Sequence, residues 1–175
     1  MEHKKFAIIG NPLSHSLSPS LHNYWFKKYN INASYKLLEI NKQDIKNIVQ
    51  KIREKELSGI NVTLPFKKEI IPYIDKVIND AEKSKSVNTV YLNSDNQIVG
   101  DNTDVYGLKA GYFKEIINTS QSKKKALVIG AGGVSPSIIL ALNVSKISNI
   151  YLTNRTSEKA MFLKKQFPFI NLILK

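Results

Sequence analysis

The sequence predicts an α/β protein in which an N-terminal α/β domain, residues 1–103, precedes the first half of a doubly wound, Rossmann-type dinucleotide-binding domain, residues 104–175. Strand-like and helix-like segments alternate from one end to the other, which is typical of α/β folds. In the C-terminal part, a short apolar strand runs into the turn Gly130-Ala131-Gly132-Gly133, and a helix follows. The rest of this part continues as a β-α-β-α-β series, the order of one mononucleotide-binding half.

The elements of the N-terminal domain follow from hydrophobic periodicity and from turn and capping residues. Ser18 and Pro19 are predicted as the N-cap and the first-turn proline of a helix. Residues 93–96 are predicted as the turn of a hairpin. Strands are predicted over residues 6–9, 35–40, 59–64, 87–92 and 97–99, and helices over residues 18–29, 44–55, 67–74 and 79–84.

The C-terminal domain begins with a predicted helix over residues 104–117 and a polar, lysine-rich stretch over residues 118–125. Strands are then predicted over residues 126–129, 149–153 and 170–174, and helices from the glycine-rich turn to Val144 and over residues 157–166. A complete dinucleotide-binding domain has a second β-α-β-α-β half after such a series. We therefore expect the chain to be a fragment or a shortened form, with an open edge strand that favours association.

The composition excludes several classes of protein. The chain has 175 residues, 42% of them apolar and 23% charged, which is enough for a packed core. No stretch approaches the roughly eighteen apolar residues of a membrane-spanning helix, and the N-terminus lacks the features of a signal peptide. Cysteine is absent, which excludes disulfides, thiolate metal sites and a cysteine nucleophile. We expect a cytoplasmic protein with no membrane partner and no metal site.

The net charge of +12 at pH 7 raises the question of a nucleic-acid partner. Of the 26 basic residues, all but Arg53 and Arg155 are lysine, and they are spread over every helix-like segment. Nucleic-acid surfaces more often cluster their charge and use arginine for bidentate contacts. We therefore predict solvated surface lysine and no nucleic-acid partner, with a positive field that attracts anionic small molecules.

Four polar segments lie where predicted strands end. Residues 14–19 place three serines before a helix N-terminus, a suitable cradle for a carboxylate. Residues 61–67 end a strand with Lys67, residues 87–89 contribute Asn88, and residues 100–104 pack four polar side chains into one turn. Taken singly, each segment also fits a simpler explanation, such as helix capping or surface charge.

The glycine-rich turn is the strongest local signal for a cofactor, because glycines let backbone N–H groups approach a pyrophosphate at a helix N-terminus. Its spacing is G-x-G-G, and the third glycine of the G-x-G-x-x-G pattern is absent. The next strand ends in Asn154, Arg155 and Thr156, with Lys159 soon after, where NAD-binding folds usually place a carboxylate. A neutral amide with two cations suits a 2′-phosphate, so we predict NADP as the cofactor. Ordinary surface charge is the alternative.

The motifs occur together and in a fixed order along the chain. They are G-N-P-L-S-H-S-L-S-P-S-L-H-N at residues 10–23, N-V-T-L-P-F-K at 61–67, S-V-N-T at 86–89, G-D-N-T-D at 100–104, G-A-G-G at 130–133 and N-R-T at 154–156. Together they resemble the shikimate dehydrogenase family. The resemblance implies a substrate-binding α/β domain followed by an NADP-binding Rossmann domain. It also implies reversible reduction of 3-dehydroshikimate to shikimate, a step toward chorismate and the aromatic amino acids, and we expect a monomer or a homodimer.

Carried over position by position, the resemblance assigns a substrate site. Ser16 and Ser18 match the pair that binds the shikimate carboxylate, Thr63, Asn88 and Asp104 match residues around the ring hydroxyls, and Lys67 matches the catalytic lysine. Reduction of a ketone leaves an alkoxide that needs a proton, which a lysine can supply or stabilise. We predict that Lys67 and Asp104 act as a unit, and the residues leave open which of them moves the proton.

The same resemblance assigns Gly130, Ala131, Gly132 and Gly133 to the pyrophosphate, and Asn154, Arg155, Thr156 and Lys159 to the adenosine phosphate. The sequence departs from the family at Val105, where glycine is usual, and at Lys85-Ser86, where small residues are commoner. The C-terminal region that completes the nicotinamide pocket in the family has no counterpart in these residues. Two alternatives therefore stay open: a non-catalytic shikimate-binding module, and a relative that uses quinate.

Overall fold

The computed structural model describes residues 2–113, 124–147 and 149–175. It divides the chain into two compact units, Met1–Asn102 and Thr103–Lys175. Each unit is a β-sheet with helices packed against it, so the predicted α/β class is confirmed. Within the described ranges, no helix combines the length and the apolar composition that crossing a membrane requires.

The first unit is built on a mixed six-stranded sheet. The strands are β1 (Lys4–Gly10), β2 (Ala33–Glu39), β3 (Gly59–Val62), β4 (Lys76–Val77), β5 (Thr89–Leu92) and β6 (Ile98–Asp101), in the order β2-β1-β3-β5-β6-β4. Strand β1 is parallel to both neighbours, whereas β5 is antiparallel to β3 and to β6. The helices are α1 (Ser18–Lys28), α2 (Ile45–Arg53) and α3 (Asn79–Ser84).

The two faces of this sheet pack against different helices because successive strand residues point to opposite sides. Ala7 and Ile9 of β1 face the larger core, together with Ile45 and Ile52 from the apolar face of α2. Ile8 points the other way and packs with Leu13 and Tyr35 in a small cluster that includes Phe26 of α1. Helix α1 therefore covers the face of the sheet that carries Tyr35.

Two local predictions for this unit were wrong, and strand β4 was not predicted. Residues 67–74 do not form a predicted helix; they form turns that end in a 3-10 turn over Ile71–Tyr73, because Pro72 has no N–H and its ring disfavours the helical conformation of the preceding residue. The N-cap of α1 is Leu17 rather than Ser18, and no side chain caps this helix end. The two-residue strand β4 is too short to give a periodicity.

The second unit contains a parallel three-stranded sheet. Its strands β7 (Lys125–Ile129), β8 (Asn149–Thr153) and β9 (Leu172–Leu174) lie in sequence order, as expected for a mononucleotide-binding half. The helices are α4 (Asp104–Leu108), which runs into a π-helical turn over Lys109–Phe113, α5 (Ser135–Val144) and α6 (Ser157–Gln166). The end of the predicted first helix, residues 114–117, and most of the predicted polar stretch, residues 118–123, lie outside the described residues.

Replacing Gly10 with alanine tests how closely β1 and the end of β3 approach. The added Cβ would lie 2.6 Å from Cγ2 of Thr63, 2.7 Å from Cδ2 of Leu13 and 3.0 Å from the carbonyl oxygen of Leu64. Because overpacking forces neighbouring atoms out of their positions, we expect Gly10→Ala to lower the free energy of unfolding by about 1–3 kcal/mol. Urea denaturation followed by the fluorescence of Trp25 measures this change.

The double variant Gly10→Ala/Thr63→Ser removes one of the clashing methyl groups and should recover part of the lost stability. A Gly10→Ala unfolding transition that coincides with that of the unaltered chain would contradict the close approach.

Candidate active site

Four strands of the first sheet bring polar segments to one edge. The register places Ile9 beside Val62, Asn61 beside Thr89, and Thr89 beside Asp101. The C-terminal ends of β1, β3 and β6 therefore lie next to the N-terminal end of the antiparallel strand β5. The segments after β1, after β3, before β5 and at the end of β6 therefore lie side by side at one edge of the sheet.

The serine segment follows β1 and leads into α1. Its path is fixed by Leu13, which is buried and whose N–H donates to Oε2 of Glu39 at 2.8 Å. The N–H of Ser16 donates to the carbonyl of Leu13 at 2.9 Å, and the N–H of Ser18 points to Oγ of Ser16 at 3.4 Å. Both serines are half-exposed. Because neither hydroxyl caps α1, capping does not account for these serines.

Thr63 and Lys67 follow β3. The N–H of Thr63 donates to the carbonyl of Ile9 at 2.9 Å, so this segment continues the pairing with β1 beyond the strand. The buried ring of Phe66 anchors the turn, and its N–H donates to the carbonyl of Thr63 at 2.9 Å. The carbonyl of Lys67 accepts from the N–H of Val87 at 2.8 Å. Lys67 is thereby tied to the segment that carries Asn88.

Asn88 lies between β3 and β6. Its N–H donates to the carbonyl of Asp101 at 3.0 Å, and its carbonyl accepts from the N–H of Val62 at 2.8 Å. The residue is 8% exposed. Its side-chain Oδ1 accepts from the hydroxyl of Thr89 at 2.9 Å, which fixes the orientation of the amide. Asn88 is therefore held at its backbone N–H, its backbone carbonyl and its side-chain oxygen.

Three residues that support this edge were not predicted as site residues. Asn102 is 3% exposed, and its amide donates to the carbonyl of Ser86 at 2.6 Å, which holds the loop before Asn88. Asn61 and Tyr35 form a hydrogen bond on the face covered by α1. Asn61 and Asn102 stand inside the motifs at residues 61–67 and 100–104, so the sequence contained a signal for them. Tyr35 stands in no motif.

The glycine-rich turn of the second unit is braced by Ser135. Gly130 has φ of +106°, a conformation that favours glycine. The hydroxyl of Ser135, the first residue of α5, donates to the carbonyl of Gly130 at 2.9 Å and accepts from the N–H of Gly132 at 2.9 Å. The turn is therefore held in place at the N-terminus of α5, the position that suits a phosphate group.

Asn154 joins the end of β8 to this turn. Its Oδ1 accepts from the N–H of Ala131 at 2.9 Å, and its Nδ2 donates to the carbonyl of Thr156 at 2.7 Å. Arg155 and Lys159 are exposed beside it in sequence. The predicted cofactor residues of the two strand ends thus come together, and Asn154 has a bracing contact that the sequence did not indicate. Asp104 is half-exposed and begins α4, whose N-cap is Thr103.

Comparison with known proteins matches both units to one family. Residues 8–90 match the shikimate dehydrogenase substrate binding domain, and residues 113–174 match the shikimate / quinate 5-dehydrogenase domain. The shikimate dehydrogenase (NADP(+)) of Pelagibacter ubique is 51% identical over 170 residues, which cover 97% of this chain and 63% of that protein. The chain belongs to the shikimate dehydrogenase family.

Other family members agree over the same region. The shikimate dehydrogenase (NADP(+)) of Pyrococcus furiosus is 40% identical over 164 residues, 94% of this chain and 58% of that protein. The crystal structure of shikimate dehydrogenase from Aquifex aeolicus superposes with a TM-score of 0.83 at 36% identity, and covers 99% of this chain and 62% of that one. The chain thus spans about three fifths of the length of these relatives, and the predicted fold is confirmed over that length.

A further solved structure was determined with ligands. The shikimate 5-dehydrogenase of Thermus thermophilus, in complex with NADP(H) and shikimate, has a TM-score of 0.81 at 27% identity and covers 98% of this chain and 62% of that one. Those ligands belong to that protein.

Proposed function

We propose that this chain carries the shikimate site and the NADP phosphate site of an NADP-dependent shikimate dehydrogenase, which reversibly reduces 3-dehydroshikimate to shikimate. The observation that carries this proposal is the meeting of the motif segments around Ser16, Thr63 and Asn88 at one sheet edge. Similarity to the shikimate dehydrogenases (NADP(+)) of Pelagibacter ubique and Pyrococcus furiosus supports the same reaction.

Substrate binding is assigned to the first unit and to Asp104. The hydroxyls of Ser16 and Ser18 would bind the carboxylate, since they lie at the start of α1, whose N-terminal N–H groups favour an anion. Thr63, Asn88 and Asp104 would bind the ring hydroxyls. Burial of Asn88 and its fixed amide suit it to recognise one hydroxyl with a defined direction.

Proton transfer is assigned to Lys67 acting with Asp104. Bound NADP(H) supplies the hydride-transfer chemistry. The Lys67 ammonium would donate a proton to the oxygen that becomes a hydroxyl, or stabilise its negative charge. In the reverse direction the neutral Lys67 amine would accept the proton of that hydroxyl. The backbone of Lys67 is held by Val87, which limits the positions that the ammonium can reach. The joint role of Asp104 and Lys67 is proposed from the sequence motifs alone.

The residues of the second unit fit a phosphate-bearing nucleotide. Gly130 adopts a conformation that favours glycine, and Ser135 holds the turn at the N-terminus of α5. Asn154 supplies no negative charge at the end of β8, and Arg155 stands next to it. A carboxylate there would repel a 2′-phosphate, whereas a guanidinium forms charge-assisted hydrogen bonds with it. We therefore propose NADP over NAD, with Thr156 and Lys159 as further contacts.

We also propose a cytoplasmic location, a role on the route to chorismate and the aromatic amino acids, and a monomeric or homodimeric state with only small-molecule ligands. The family membership supports these assignments. The alternative is a non-catalytic shikimate-binding module.

Lys67→Ala tests the proposed reaction. Loss of the ammonium should lower the rate of NADPH formation from shikimate and NADP by about 100- to 10,000-fold, while calorimetric titration should still detect shikimate binding. Lys46→Ala, which removes an exposed lysine of α2, is the matched control. Binding without turnover in the unaltered chain would favour the binding-module alternative, and the absence of both would contradict the shikimate site.

Arg155→Ala tests the choice of cofactor. Removing a charge-assisted hydrogen bond of about 1.5–3 kcal/mol should weaken NADP binding by about ten- to a hundredfold. The dissociation constant for NAD, which has no 2′-phosphate, should stay nearly the same. Titration of both dinucleotides into the variant and into Lys165→Ala, an exposed lysine of α6, measures the difference. Equal weakening of NADP and NAD would remove the 2′-phosphate assignment.

A further inference from the structure

His22 and Asn23 close the first motif, and the proposed reaction uses neither of them. Both lie on α1 and contact Tyr35 of β2. The side chain of Asn23 forms two hydrogen bonds with the backbone of Tyr35: its Nδ2 donates to the Tyr35 carbonyl and its Oδ1 accepts from the Tyr35 N–H, each at 2.9 Å. The rings of His22 and Tyr35 stack at 4.2 Å with an interplanar angle of 3°. The helix that carries Ser18 is therefore fastened to the sheet at Tyr35.

The Tyr35 side chain extends from β2 across β1 to β3. The register places Tyr35 beside Phe6 of β1 and places Asn61 of β3 beside Ile8 of the same strand. The Tyr35 hydroxyl donates to Oδ1 of Asn61 at 2.7 Å, and Tyr35 is 4% exposed. Burial raises the pKa of the Tyr35 phenol and lowers the pKa of the His22 imidazole. The Tyr35 phenol therefore stays protonated and can donate a hydrogen bond. The His22 imidazole that stacks on it favours the neutral form.

Asn61 passes this connection to Asn88. Its Nδ2 donates to the carbonyl of Asn88 and to Oγ1 of Thr89, each at 3.3 Å. The Thr89 hydroxyl in turn donates to Oδ1 of Asn88 at 2.9 Å. Because the Asn88 carbonyl can only accept, the NH2 end of Asn61 must face it, and its oxygen must then face Tyr35. All the donors point in one direction, from Tyr35 toward Asn88.

We propose that Tyr35 is a positioning residue for recognition of the substrate's ring hydroxyls. It fixes the Asn88 amide through Asn61 and Thr89, and it fixes the helix of Ser18 through His22 and Asn23. This inference rests on the proposed shikimate site. One residue, through its side chain and its backbone, thus keeps the group for the ring hydroxyl and the groups for the carboxylate at a constant separation. Preorganisation of this kind removes an ordering cost that a ligand would otherwise bear.

The test is calorimetric titration of Tyr35→Phe with two ligands. One is shikimate, and the other is cyclohex-1-ene-carboxylate, which has the carboxylate and the ring of shikimate without its hydroxyls. Loss of the hydrogen bond from the phenol should weaken shikimate binding by about three- to tenfold and leave the affinity for the hydroxyl-free analogue unchanged. Tyr73→Phe, at a tyrosine that is 36% exposed, is the matched control and should bind both ligands normally.

A double-mutant cycle assigns the effect to Asn88. If Tyr35 acts through Asn88, adding Tyr35→Phe to Asn88→Ala should cause no further loss of shikimate affinity. Equal weakening of both ligands, or additive losses in the cycle, would show that Tyr35 only stabilises the fold and would overturn the proposal. Thermal denaturation of each variant verifies that it is folded at the titration temperature.

Nuclear magnetic resonance of the ligand-free chain separates this proposal from the proposed function. Tyr35→Phe should shift the side-chain amide signal of Asn88 and speed its hydrogen exchange. The side-chain amide of Asn93, which donates to Gln97 in the hairpin turn at 3.2 Å, should not change. An unchanged Asn88 signal would overturn the positioning role. Absence of shikimate binding to the unaltered chain, together with a shifted Asn88 signal, would refute the proposed function while leaving the connection from Tyr35 to Asn88 intact.

Discussion

Backbone hydrogen bonds between segments far apart in the chain hold together the edge of the first sheet to which we assign the substrate site. The N–H of Asn11 donates to the carbonyl of Leu64 at 3.0 Å, Val87 donates to Lys67 at 2.8 Å, and Asn88 donates to Asp101 at 3.0 Å. These bonds extend the pairing of the strands into the loops, so buried backbone groups are satisfied where regular structure ends. The side chains of this edge are therefore attached to a rigid backbone, which is the condition for a preorganised site.

The glycine-rich turn of the second unit reaches a similar rigidity by another route. There side chains form the bracing contacts. The Ser135 hydroxyl accepts from the N–H of Gly132, and the side-chain oxygen of Asn154 accepts from the N–H of Ala131. Because these two amides already have partners, the turn needs no ligand to hold its shape. The residues at the end of β8 that suit a 2′-phosphate thus lie next to a turn that is already ordered. One of them, Asn154, itself holds this turn through its hydrogen bond with Ala131.

The sequence predicted the parts of the fold that depend on local patterns. Strand β8 and helix α6 have the predicted boundaries. The alternating burial along β8 is a pattern that the sequence itself shows. The predicted helix over residues 67–74 failed because Pro72 interrupts it. The connection from Tyr35 through Asn61 to Asn88 could not be predicted, because it depends on the register of β2, β1 and β3, which local periodicity does not reveal. The bracing role of Asn154 was missed for the same reason, since its partner Ala131 lies on another strand end.

The most direct test of the account is to map shikimate binding on the chain by chemical-shift perturbation of its backbone amides. If the edge of the first sheet is the substrate site, the amides of Ser16, Ser18, Thr63, Lys67 and Asn88 should shift together and saturate with one dissociation constant. Amides of α2 on the opposite face, such as Ile48 and Ile52, should stay unchanged. Saturable shifts confined to another part of the chain, or none at all, would contradict the assignment of this edge as the substrate site.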